Sequence, residues 1–155
     1  MTMASFFRQT PRLLGGLALL AGTVALPAVA HAQATQPENC HAYKVDEEKN
    51  RILFNKPDIY VIMPPKVERE RLRAQGTPGQ IFHMKNCDVP DFTAQIDVHK
   101  RPGDSDSKPA EKVPCAVRVV ILSEKDNWVQ VKGHTSLWKG TGWIQLKDNI
   151  VVVKY

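Results

Sequence analysis

Hydrophobic positions recur at every second residue through the C-terminal half of this chain. In FTAQIDVH, residues 92–99, Phe92, Ala94, Ile96 and Val98 share one face, and Thr93, Gln95, Asp97 and His99 share the other. That period of two is the mark of a half-buried strand. KRPGDSDSKPAEK follows, a Pro-, Gly-, Ser- and Asp-rich loop,. VPCAVRVVIL then reads as a strand, SEKDN as a turn, WVQVK as a strand, GHTSLWKGT as a loop, GWIQL as a strand, and KDN as a turn into IVVVKY,. Five short strands at this density predict a small antiparallel barrel over residues 91–155. Upstream, in residues 33–90, RILF and DIYVIM are strand candidates, with Pro57 marking a turn between them,. PPKVERERLRAQG predicts at most one short surface helix with Val67, Leu72 and Ala74 as its apolar positions, and GTPG reads as a turn into the strand QIFHM,. The expected fold class is therefore mainly β: a small antiparallel barrel with a β-rich N-terminal extension.

Residues 1–32 break this rhythm. Arg8 and Arg12 precede an apolar run, Leu13 to Leu26, which ends at Pro27 and the small residues around Ala30 and Ala32. Charged, apolar and small-residue regions in that order predict a secretory signal peptide cleaved after Ala32, with Ala34 as the alternative. Gly15, Gly16 and the early Pro27 argue against a retained membrane span,. The absence of an Arg pair favours the general export route. The protein is thus expected in the periplasm or secreted, with no stable membrane span after processing.

Charge changes the picture little. The chain has 21 Lys and Arg against 16 acids; Arg8 and Arg12 belong to the leader, which leaves 19 against 16 in the mature part. Bases and acids are interspersed, as in KVERERLR, so they read as a solvated surface rather than a track for nucleic acid,. Cysteines matter more. Cys40, Cys87 and Cys115 enter an oxidising compartment, where an odd count permits one internal bridge,. Cys115 opens a run in which Val117, Val119 and Ile121 share its face, so it reads as a small buried apolar side chain. That favours Cys40 with Cys87, worth roughly 4 kcal/mol in the chain-entropy account; Cys87 with Cys115 and Cys40 with Cys115 stay open.

IDVHKRPG, VRVVILSEKDNWVQV and GTGWIQ, in that order and spacing, resemble the bacterial Src-homology-3 domain over about residues 92–152. The likeness does not extend to Cys40 through Val89. Two departures stand out: the loop GHTSLWKGT carries an extra Trp, and the family's G-x-x-G-W is here Gly140, Gly142 and Trp143 with one fewer spacer. The resemblance implies a shallow aromatic groove that engages a cell-wall peptide or an extended segment of another protein. Independently, Trp128, Trp138 and Trp143 offer flat apolar surfaces with one N–H each, suited to a half-dry, half-wet contact, and are the candidate ligand-binding residues. With Val129 and Val131 inside, Trp128 is expected on the outer face, or else packed beneath the long loop. Trp143 is expected to be structural, and Trp138 to be the wettest of the three.

Other chemistry finds weaker footing. Cys40-His41 has the tail of a haem-attachment motif, but Pro37 stands where its first Cys is needed,. His83, Met84 and Cys87, joined by Cys40 and His41, form a set of soft donors that suggests copper, in a spacing that fits no established cage. No G-x-S-x-G nucleophile elbow occurs,. The expected function is that of an exported periplasmic binding module without catalysis, cofactor or metal, whose partner is a protein or a peptidoglycan peptide. An accessory or inhibitory subunit of another exported protein, and a periplasmic copper-binding protein, are the alternatives.

Overall fold

The computed structural model describes residues 43–56, 58–147 and 149–155. The leader, Cys40 and His41 lie outside these residues. In chain order the elements are β1 (Tyr43–Asp46), β2 (Arg51–Phe54), β3 (Tyr60–Ile62), α1 (Lys66–Arg73), β4 (Thr77–Lys85), β5 (Val89–Pro90), β6 (Gln95–Val98), β7 (Glu111–Pro114), β8 (Val117–Lys125), β9 (Trp128–Gly133), β10 (Thr141–Gln145) and β11 (Ile150–Lys154). The protein is mainly β, with one short helix among the described residues.

The main sheet is antiparallel throughout, in the order β10-β9-β8-β4-β11, and β5 adds to the far end of β4. The sheet curls into a half-barrel. The β6–β7 hairpin closes on it through an antiparallel bridge between His99 and Trp143, which exchange backbone hydrogen bonds of 2.7 and 2.8 Å. A second sheet, β1-β2-β3, lies on the outer face.

Alternation along the central strands creates two cores. Ile81 of β4 and Val152 of β11 point inward with Ile96, Val98, Val113, Val117, Val119, Ile121, Val129, Val131 and Ile144. The intervening Phe82, Met84, Val151 and Val153 point outward, where Ile52 and Phe54 of β2 meet them. Phe54 and Phe82 form an edge-to-face pair with centroids 5.3 Å apart. At about 1.5–3 kcal/mol for each fully buried Val, Ile or Phe, these two clusters are the main source of stability. β4 is therefore covered on both faces and paired on both edges, although it comes from the segment expected to be an extension of the barrel.

Several local expectations are corrected. VPCAVRVVIL is two strands: Ala116 has φ 66°, and this left-handed residue ends β7 and restarts the alternation. Cys115 consequently does not share a face with Val117, Val119 and Ile121; it joins the outer core. GTPG is not a turn but the start of β4. There Gly79 permits close strand approach, since a Cβ would stand 2.6 Å from the Val153 carbonyl oxygen,. Phe92 precedes its strand and is 54% exposed, because the Asp91 carboxylate accepts from both the N–H and the hydroxyl of Thr93 and forms a turn,. In α1, Val67 is exposed whereas Arg69 is buried with Leu72.

Candidate functional site

The three tryptophans are distributed differently from the aromatic rim that the sequence suggested. Trp128 is 4% exposed and packs edge-on against the His99 ring, with centroids 5.4 Å apart and an interplanar angle of 86°. Trp138, expected to be the wettest, belongs to the inner core, and its Nε1 donates to Glu111 Oε2 at 3.0 Å. The long β9–β10 loop folds back through a Thr135–Trp138 bridge, which turns the indole inward. Trp143 is half-buried and contributes its backbone to the His99 bridge. The structure thus does not gather the three indoles at one surface.

What it does gather is polar. A cavity of about 190 Å³ opens where β4, β6 and β11 meet the ends of β10 and the β6–β7 loop. His83 on β4 stands opposite Ile150 on β11, and both line it. Gln95 and Asp97 enter from the polar face of β6, His99 and Ser105 from the loop that follows, and Gln145, Lys147 and Asn149 from the β10–β11 connection. Register explains the meeting of these parts. Gln145 lies opposite Trp128, whose ring packs on His99, and His99 is pinned by its bridge to Trp143.

Three buried polar atoms of this cavity have no hydrogen-bond partner among the described residues: His83 Nδ1, His99 Nδ1 and Gln145 Oε1. A buried orphan of this kind costs on the order of 1–3 kcal/mol, which a ligand or ordered water relieves. Gln145 Oε1 accepts only, whereas an imidazole nitrogen donates or accepts according to its tautomer. Around them, Lys147 brings a cation, and Asp97 brings a carboxylate already held by Lys112 Nζ at 2.7 Å. The donor and acceptor mixture matches an amide or a zwitterion better than a single ion. The space is large enough for ordered waters or for one polar group of a larger ligand,.

His83 itself is fixed from behind. Its N–H donates to Cys115 Sγ at 3.3 Å, the thiol donates to the His83 carbonyl at 3.6 Å, and that carbonyl also accepts the Asp91 N–H at 2.7 Å. Burial pushes the Cys115 thiol up, which keeps it a neutral donor,. Met84, next in sequence, points to the outer core with Cys87, so the strand separates His83 from the other described members of the soft-donor set. No cluster of three or more His, Cys, Asp or Glu side chains suited to a metal occurs among the described residues.

His99 could have been found from the sequence as the last polar residue of an alternating strand. Gln145 and Lys147 carried no signal, because only the register of β9 with β10 brings them to the cavity. Among the described residues no helix is long and apolar enough to cross a membrane. No family model matches the chain, and no curated protein or solved structure matches it either.

Proposed function

We propose that this protein is an exported, non-catalytic binding module of the bacterial envelope, built on a Src-homology-3-like half-barrel, that recognises a peptide of the cell wall or of a partner protein. The observation that carries this reading is that three residues with a partnerless buried polar atom, one from β4, one from the loop after β6 and one from β10, line one cavity. Peptides supply alternating N–H and C=O groups that such a cavity can satisfy, and Lys147 and Asp97 suit charged termini or side chains. The order of regions in residues 1–32 supports export. The engagement of Cys115 in the outer core and with the His83 backbone supports a bridge between Cys40 and Cys87,.

Retention of the purified protein on wall sacculi, set beside a pull-down from envelope extract, tests the reading and separates its two ligand sources. Gln145→Ala and Lys147→Ala, both away from the cores, are expected to weaken whichever interaction is found by about tenfold. Binding to neither material, or variants that bind as well as the parent, would refute it.

A further inference from the structure

We infer that the outer face carries a second site, separate from the polar cavity: a groove between β3 and the β9–β10 loop that binds an extended acidic peptide by an apolar side chain, a backbone amide and a neighbouring carboxylate. The groove encloses about 310 Å³. At its floor is Gln80, 2% exposed, whose Nε2 donates to the Ala116 carbonyl at 2.9 Å. That bond fixes which end of the amide is oxygen, because only the nitrogen can donate. Gln80 Oε1 is left buried and without a partner, as is Thr135 Oγ1 on the loop opposite. An acceptor and a hydroxyl on the two sides of a groove match the N–H and C=O of one peptide unit. A bare phosphate has no donor for Gln80 Oε1, which argues against an inorganic anion as the occupant.

The walls supply the rest of the specificity. Ile62 and Leu137 are 54% and 72% exposed and flank the groove as apolar lips. Arg118 crosses between the sheets to donate Nη2 to the Ile62 carbonyl at 3.2 Å, and forms no ion pair among the described residues. A guanidinium has five donor hydrogens, so one bond leaves most of its fork for a carboxylate. Among the described residues β3 pairs only with β2, and on its other edge the Ile62 carbonyl is held by Arg118, so a peptide lying there meets the Ile62 side chain and the guanidinium together. The site uses none of the residues that line the polar cavity.

The test is an NMR titration of the whole isotope-labelled chain with a blocked Asp-Leu-Asp tripeptide and with its neutral Asn-Leu-Asn counterpart. The acidic peptide is expected to move the Gln80 side-chain amide and the Arg118 guanidinium resonances, and to bind about tenfold more tightly than the neutral one. Arg118→Gln should erase that difference, and Leu137→Ser, at an exposed position that folding does not need, should weaken both peptides. Gln145→Ala, which lies in the other cavity, should change neither. Equal affinities for the two peptides, shifts that avoid Gln80, or loss of binding in Gln145→Ala would each overturn the proposal.

Discussion

Gly142 sits where β10 crosses the end of β6, and a Cβ there would lie 2.3 Å from Val98 Cγ1 and 3.0 Å from the His99 carbonyl oxygen. Because Val98 is in the inner core and His99 makes the bridge, neither can move aside without reopening the half-barrel. Gly142→Ala is therefore expected to cost about 1–3 kcal/mol, read as a lower urea midpoint, and to loosen the backbone pair of His99 with Trp143 in hydrogen exchange. A variant as stable as the parent would show that β10 and β6 have more room than this packing allows. In the sequence, a Gly inside a strand pattern marks a bulge, a bend or a close backbone approach, and Gly142 is the last of these,. It gave no comparable pointer for Trp138. A loop indole flanked by Lys139 and Gly140 reads as solvent-facing, and only Glu111, 27 residues earlier, supplies the acceptor that lets it enter the core.

Helix α1 is amphipathic by an unexpected residue. Arg69 is 2% exposed, and its Nη1 donates to Asn50 Oδ1 at 3.1 Å and to the Pro64 carbonyl at 3.3 Å, with Met63 Sδ at 4.0 Å. The guanidinium thereby ties the helix to the β1–β2 turn, where Asn50 is held at φ 50°, and to the chain leaving β3. Arg69→Ala should remove two charge-assisted bonds and much packing, and a loss of about 3 kcal/mol is expected by chemical denaturation. Because one nitrogen, Nη1, makes all of these contacts, Lys in its place, with its three donors on a single nitrogen, should recover part of the loss,. Apolar counting over KVERERLR selects Val67 and Leu72 for the buried side, yet Val67 faces solvent. Periodicity ranks side chains by polarity. It cannot know that three acceptors will wait beneath one turn of helix.

At the scale of the molecule, the two cores are joined through β4 and β11, and Tyr155 seals their outer side. Its N–H reaches the Pro78 carbonyl at 3.2 Å and its hydroxyl donates to the Gly79 carbonyl at 3.3 Å. Burial raises its phenol well above the ordinary value, with Arg118 and Arg69 opposing that shift more weakly. The unfolded chain ionises this group near pH 10 while the folded chain does not, so its contribution is intact below about pH 10 and is lost as pH rises beyond it. Tyr155→Phe should lower stability by about 1 kcal/mol near neutrality but decline less steeply between about pH 8 and about pH 11, as urea midpoints would show. Parallel decline in the two proteins would remove Tyr155 from the alkaline transition. Strand content, and the inward valines of β8 and β9, were legible in the sequence because alternation is a local property; the unbroken IVVV of β11 offers no alternation from which to pick Val152. The middle position of β4 was not, since pairing across long separations leaves no trace in a short window.

That middle position has a consequence in time. The Tyr155 hydroxyl and the Gly79 carbonyl are 76 residues apart in sequence, which at about 5–20 residues per second is roughly 4–15 seconds of synthesis. Throughout that interval one edge of the strand that will unite both cores has no mate to close against. Only when β11 has been made can that strand acquire its second neighbour and both cores be closed together.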